Sequence, residues 1–186
     1  MSVDQASAKA DFPPKFWATQ QGLIDLKPLG AVPFPPEQIR DRMLIHEAFY
    51  RFAMGHDENR PDVVLSCMTE DIQFEGSLGS ATPFNAFYGY AALEKQLSTG
   101  IGEMYGQRRH CMTNIIIDEL TDTTAKAYAN SVVTRAAQGL ILQAAVMYDT
   151  RLRKEADGFW RFTRFFIGMD EYAEDPGLTI PKPVQR

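Results

Sequence analysis

The sequence predicts an α+β fold on three observations. An apolar repeat of helical period runs from Pro36 to about Gly55, and beyond Asp71 the period changes to an alternation that continues to about residue 169. Turn-forming pairs, Thr121-Asp122, Gln138-Gly139 and Asp157-Gly158, punctuate that second half. Side chains share a face every 3.6 residues in a helix and every second residue in a strand, so the change of period separates helices from sheet. Helices followed by a long run of strands make a mixed domain rather than a series of βαβ units.

Residues 1–36 carry Pro13, Pro14, Pro28, Pro33 and Pro35, with Phe12, Phe16, Trp17 and Phe34 among them. Prolines at this density make an extended arm, and its aromatics argue for packing, either on its own domain or on a neighbouring subunit, because disordered segments are poor in aromatic residues. Pro36 suits the first turn of a helix and Glu37 its positive end, so a helix is expected from there to about Gly55. Ile39, Met43, Ile45, Phe49, Phe52 and Ala53 share one broad arc. His46, Tyr50 and Asp57 project into it, away from the charged face of Arg40, Glu47 and Arg51. A second short helix is expected over 62–68. Strands follow near 72–76, 84–90, 107–119, 123–136, 140–154 and 159–169, with a helix near 91–99 between them. The turn pairs make the last four strands an antiparallel meander. The chain therefore divides into an arm over 1–36, a folded domain over 37–172 and a tail over 173–186.

Composition narrows the function classes. A chain of 186 residues, 45% hydrophobic, can bury a sizeable core without disulfides or metals. Its 24 acidic against 19 basic residues give a net charge of -5, with no basic stripe to neutralise phosphates, so a nucleic-acid partner is not expected. Cys67 and Cys111 each sit in an apolar context suited to a buried reduced thiol and belong to no CxxC or Cys/His pattern, which fits a cytoplasmic protein without a metal site. The first residues lack the basic start and apolar stretch of a signal peptide, and no apolar run reaches the roughly 18 residues of a membrane span. Gly100-Ile101-Gly102 lacks the third glycine and the preceding strand of a dinucleotide site, so no cofactor is expected.

The candidate chemistry rests on Asp57, at the foot of the first long helix, and His110, at the start of a strand-like run that continues to Ile117. A histidine oriented by a carboxylate serves as a general base near neutral pH, because its ordinary pKa already lies near that range. In this reading Asp57 fixes the His110 tautomer and the free nitrogen takes a proton from a carbon beside a carbonyl. Tyr50, two helical turns before Asp57, then donates its phenol proton to the enolate oxygen. A plainer reading makes His110 a satisfied core histidine and Asp57 a helix end or an anchor of the Glu58-Asn59-Arg60-Pro61 turn. His56 should point away from the site, and Arg109, on the opposite face from His110, suits a structural ion pair. Asn114 shares the His110 face if no bulge intervenes, and Ser131 turns inward on the alternation of Ala125, Ala127 and Ala129. Phe52, Met112 and Met147, with Met104, are candidates to line an apolar substrate site, plain packing being the simpler role for the methionines.

Four segments, Phe49-Tyr50-Arg51-Phe52 leading to Asp57, Met68-Thr69-Glu70-Asp71-Ile72, Arg109-His110-Cys111-Met112-Thr113-Asn114 and Asp157-Gly158-Phe159-Trp160-Arg161-Phe162, occur in a telling order and spacing. Together they resemble the SnoaL-like branch of the nuclear transport factor 2-like superfamily, over roughly residues 37–170. The resemblance implies a cone-shaped α+β barrel in which a curved, mostly antiparallel sheet wraps helices around one apolar pocket. Functionally the chain resembles scytalone dehydratase and its relatives, where a helix aspartate and a strand histidine form a dyad at positions matching Asp57 and His110. Gly76 stands where that dehydratase has a water-binding tyrosine, and Ala129 where it has a second histidine. Met147 and Asp149 replace a serine and an asparagine, so scytalone itself is not the expected substrate. What the resemblance implies is a cofactor-free lyase or isomerase of dehydratase, isomerase or cyclase type, acting on a hydrophobic small molecule. It also implies a homodimer or homotrimer built on the exposed sheet face. Two alternatives stay open: a non-catalytic subunit like the β subunit of ring-hydroxylating dioxygenases, and a module that only binds a small molecule.

Overall fold

One curved sheet organises the chain, whose computed structural model describes residues 13–100, 105–137 and 139–173. A four-residue helix α1 (Trp17–Gln20) lies in the arm, and a 3₁₀ turn (Pro36–Gln38) runs into the long helix α2 (Ile39–Asp57). A short α3 (Pro61–Ser66) leads to β1 (Met68–Leu78), β2 (Asn85–Tyr88) and α4 (Tyr90–Gly100). The strands β3 (Gln107–Leu120), β4 (Thr124–Ala136), β5 (Leu140–Lys154) and β6 (Trp160–Tyr172) follow. The sheet order is β2-β1-β6-β5-β4-β3. Every neighbouring pair is antiparallel except β1 with β6, so the fold is α+β with the meander that the turn pairs indicated, and the sheet curves without closing.

Helix α2 covers the inner face of this sheet. Its buried line runs through Ile45, Phe49 and Phe52, with Ala48 and Ala53 on the flanks, while Ile39 and Met43, expected inward, are exposed. The Phe52 ring lies 4.3 Å from Phe165 and the Phe49 ring 5.0 Å from Phe162, edge-on. Each such ring contributes roughly 1.5–3 kcal/mol by leaving water. Gly55 lets α3 approach: a Cβ there would lie 3.1 Å from Val63 and Val64 side-chain carbons. The expected helix over 62–68 ends earlier, at Ser66, because Met68 already pairs with Phe162 and the Phe162 N–H donates to the Cys67 carbonyl. At the other end of α2, Asp41 accepts from the Trp160 indole at 3.0 Å and pairs with Lys154 at 2.9 Å, which fastens the helix to the sheet.

The described part of the arm packs on the outer face of its own sheet. Trp17, Ala18 and Leu23 are buried against Met147 and Phe166. Gly168 makes room for the Trp17 indole, whose Nε1–H donates to Asp170 at 2.6 Å. Further along, the Asp25 N–H donates to the Tyr128 hydroxyl and the Lys27 N–H to Asp118. Phe34 lies under the Arg42 guanidinium, 4.2 Å from it. Phe12, Met104, Gln138 and nearly all of the expected tail lie outside the described residues. Cys67 is buried as expected, but Cys111 is exposed, since the alternation of β3 turns it to the outer face with Arg109. No described helix is long and apolar enough to cross a membrane.

Candidate active site

Asp57 is the last residue of α2, and the helix delivers it to β3. Its Oδ1 lies 2.5 Å from His110 Nδ1, and its Oδ2 accepts from the His110 backbone N–H at 2.8 Å. Both side chains are nearly enclosed, Asp57 at 2% and His110 at 10% exposure. Gln107 donates from Nε2 to the Asp57 carbonyl, adding a third tie between helix end and strand. Arg109, on the opposite face, ion-pairs with Glu58. A carboxylate only accepts, so the short contact places the imidazole proton on Nδ1 and leaves Nε2 as the basic nitrogen.

His56 departs from its expected direction. The line Ile45-Phe49-Phe52 extends by helical period to His56, whose ring lies 4.8 Å from the His110 ring, edge-on, and 6.3 Å from Phe52. Its Nδ1 is enclosed without a hydrogen-bond partner among the described residues. Burial, reinforced by the neighbouring charges of His110 and Arg108 and only partly offset by Asp57, pushes His56 down to about 3. A neutral imidazole thus sits beside the dyad. Arg108 and Tyr148 also enter the site without a sequence motif to mark them. Arg108 shares the inner face of β3 with His110, is buried, and donates from Nε to Gln143 Oε1 at 3.0 Å. Two-residue spacing from His110 was the available signal.

Tyr148 and Ser131 complete the inner face across β4 and β5. Tyr148 pairs with Ala129 in register and is 2% exposed, with its ring 6.2 Å from Phe52. Burial, and secondarily the charge of Asp57, hold its phenol protonated well above the ordinary tyrosine range. Ser131 lies close enough to ease that shift, but its Oγ is buried without a well-formed hydrogen bond among the described residues. Phe52 and Met112 lie against the main core, and Ser131 points inward as the alternation indicated.

Three expected site residues lie elsewhere. Tyr50 is 46% exposed and meets the His46 ring at 6.3 Å, one residue off the buried line of α2. Asn114 is exposed at a φ of 51° where the β3–β4 register shifts, so the bulge breaks its parity with His110. Met147 faces the outer side of the sheet under Trp17, because β5 is buried on both faces.

Ligating atoms of His56, Asp57 and His110 all lie within 4.8 Å of one another. A single zinc-like ion with bonds of about 2.1 Å spans at most about 4.2 Å between ligands, and both Asp57 oxygens are engaged by His110. The arrangement as it stands fits proton transfer, and the trio would have to contract to hold an ion.

The fold recurs in solved structures. A Mycobacterium tuberculosis protein of unknown function superposes with a TM-score of 0.65 at 24% identity, covering 78% of this chain and 82% of that one. A proposed scytalone dehydratase from Novosphingobium aromaticivorans gives 0.62 at 18% identity, with 80% and 96% covered. A hexachlorocyclohexane dehydrochlorinase, LinA type 2, gives 0.62 at 15% identity, with 80% and 98% covered. No protein of curated function matches the sequence significantly. The model of the SnoaL-like domain matches residues 37–165, from the 3₁₀ turn into the first half of β6, and on that match the chain belongs to the SnoaL-like domain family.

Proposed function

We propose that the protein is a cofactor-independent lyase or isomerase that acts on a hydrophobic small molecule, with His110 as the proton-transfer base. The observation that carries this reading is the two-point grip of Asp57 on His110, at 2.5 Å to the ring and 2.8 Å to the backbone. A helix end or a core histidine needs no such double contact. It fixes the tautomer, holds the ring, and places a negative charge where an imidazolium forms.

In the reaction, His110 Nε2 takes a proton from a carbon beside a carbonyl, and the C–H electron pair moves onto the carbonyl oxygen as an enolate. The enolate needs a donor in a water-poor site, and Tyr148, neutral and buried on the same face, fits that role in place of Tyr50. If a leaving group sits on the next carbon, the enolate collapses, expels it, and the imidazolium returns its proton to the departing group. If not, the proton returns at another carbon and the product is an isomer, or the enolate carbon closes a ring. The names of two structural neighbours, a proposed scytalone dehydratase and a hexachlorocyclohexane dehydrochlorinase, describe eliminations, the second from a substrate without a carbonyl, and so support loss of a leaving group without requiring an enolate. Exposed Cys111, Val132 and Leu142 on the outer face give a homodimer or homotrimer an apolar surface to use, in a protein we place in the cytoplasm.

The test is turnover of candidate ketones and enols by wild type, Asp57→Asn and His110→Ala. The expected loss is about 10²–10⁴-fold in kcat for His110→Ala. Full activity in both variants overturns the reading. Ligand that binds but emerges unchanged from wild type would favour a binding module. Activity that appears only with an iron-bearing partner would favour a dioxygenase-type subunit.

A further inference from the structure

We propose that Ser131 is a second donor to the substrate oxygen, so that Ser131 and Tyr148 together form a seat for one ketone oxygen beside His110. This deepens the catalytic reading above and rests on it for the word substrate, while the seat is argued from its own residues. The β3–β4 register pairs His110 with Val133 and Met112 with Ser131, and the β4–β5 register pairs Ser131 with Val146 and Ala129 with Tyr148. Both registers are unbroken over this stretch. Residues two apart share a face, so His110, Ser131 and Tyr148 lie on one diagonal of the inner face, with Ser131 between the base and the phenol. Diagonal neighbours on adjacent strands are about 7–8 Å apart, within reach of side chains as long as histidine and tyrosine.

Ser131 is 2% exposed, and its Oγ has no hydrogen-bond partner among the described residues. A buried hydroxyl ordinarily finds one. On the same sheet, Thr150 Oγ1 donates to the Ala127 carbonyl at 2.7 Å and Thr69 Oγ1 to the Phe162 carbonyl at 3.2 Å. An unpaired Ser131 hydroxyl lowers the stability of the free protein, and a ligand oxygen that accepts from it removes that penalty on binding. Ser77 Oγ is likewise buried and unpartnered among the described residues, but it lies on the outer face beside Gly168, where Trp17 packs, away from the dyad.

Two neutral hydroxyls suit an oxygen that becomes charged only during the reaction. Burial first, and the charge of Asp57 after it, keep the Tyr148 phenol protonated, so it meets the substrate as a donor. When His110 Nε2 takes the proton from the carbon beside the carbonyl, the electron pair moves onto the carbonyl oxygen. Both hydroxyls then donate to that oxygen and keep their own protons. The imidazolium formed in the same step offsets the Asp57 carboxylate, which otherwise opposes a negative charge nearby. The flanks of the seat define the substrate class. Ser131 sits between Met112 and Val146 in its row, and Tyr148 between Ala129 and Ile167, all apolar. A second oxygen or nitrogen on the same carbon, as in an acid, ester or amide, would meet no partner in those rows and pay for its desolvation. A ketone, whose carbonyl carbon bears only carbon, avoids that cost.

The experiment is isothermal titration of phenol, 4-ethylphenol and 2-naphthol, whose oxygen on a trigonal carbon mimics an enol. Each is compared with the arene that carries fluorine in place of the hydroxyl, and acetophenone with benzamide. The proteins are wild type, Ser131→Ala, Tyr148→Phe, the double variant and Ser77→Ala, with a urea midpoint measured for each. At least one phenol is expected to bind wild type about tenfold or more tightly than its fluoroarene, and acetophenone more tightly than benzamide. Ser131→Ala is expected to lower the phenol preference about three- to tenfold, alone and again in the Tyr148→Phe background, as one neutral hydrogen bond supplies. It is also expected to raise the urea midpoint, whereas Ser77→Ala should leave the phenol preference unchanged. No phenol binding more tightly than its fluoroarene, whether both bind or neither, overturns the proposal from wild type alone. So does an unchanged preference in Ser131→Ala, a loss that vanishes in the Tyr148→Phe background, or an equal loss in Ser77→Ala. A midpoint unchanged or lowered in Ser131→Ala would show the hydroxyl paired in the free protein and overturn it as well. Acetophenone binding no more tightly than benzamide, whether both bind or neither, overturns the ketone class. Phenol preference without turnover would leave the seat standing and remove the catalytic reading, and turnover that Ser131→Ala leaves intact would do the reverse.

Discussion

Asp57 offers two acceptor oxygens to His110, and an asparagine at the same place offers one acceptor and one donor. In Asp57→Asn the His110 backbone N–H keeps the oxygen, so the amide NH₂ faces Nδ1. That nitrogen must then accept, and the imidazole proton moves to Nε2, the position that has to be empty for base catalysis. The variant should fold normally, lose most activity, and show exchanged ring-nitrogen shifts for His110 by ¹⁵N NMR. Unchanged shifts would separate Asp57 from tautomer control. A second residue-scale expectation divides the tyrosines. Tyr148→Phe removes a buried phenol beside the dyad and should lower kcat by about 10²–10³-fold, the usual worth of one oxyanion donor. Tyr50→Phe alters a half-exposed side chain and should leave kcat within about twofold. Equal losses in the two variants would return Tyr50 to the site.

At the scale of elements, what could be read from the sequence depended on whether each face met one environment. The strands of the meander were legible from the turn pairs between them and from an alternation that β5 interrupts, and the dyad was legible because α2 and β3 each carried a motif residue near its end. The helix arc was read too wide: Ile39 and Met43 are apolar yet exposed, and including them swung the inward face toward Tyr50 and away from His56. Asn114 was misplaced by one bulge, which no residue pattern announces. Met147 was misread because β5 is buried from Val146 to Thr150 without alternation, the arm covering its outer side. That cover can be lifted. A Cβ at Gly168 would lie 2.6 Å from Met147 Sδ and 2.7 Å from the Trp17 ring, so Gly168→Ala should cost about 1–3 kcal/mol by overpacking and displace Trp17. Hydrogen exchange should rise in residues 17–27 while α2 and β3 stay protected. Protection retained across the arm would show that the indole can shift within its site.

For the whole molecule, the buried imidazole sets the response to acid more than the surface pairs do. Asp71 with Arg153 and Asp157 with Arg161 hold their carboxylates down to about 2, but these pairs are largely exposed and salt screens them. His56 works in the opposite sense. Its pKa is about 3 in the folded protein and 6.5 in the unfolded chain, so between those values the unfolded state holds the additional proton. Stability is therefore full above pH 6.5 and falls as pH drops toward 3, with a slope of at most about 1.4 kcal/mol per pH unit. Urea titrations of wild type at pH 7, 6, 5 and 4 in high salt should retain this slope, because the group is enclosed and the surface terms are screened. His56→Phe keeps an aromatic ring on the Ile45-Phe49-Phe52 line and should flatten the profile, whereas Asp71→Asn should leave the high-salt slope unchanged. An equal slope in wild type and His56→Phe would mean that His56 takes up its proton in the folded state, and the edge-on contact with His110 would then have to open as the pH falls.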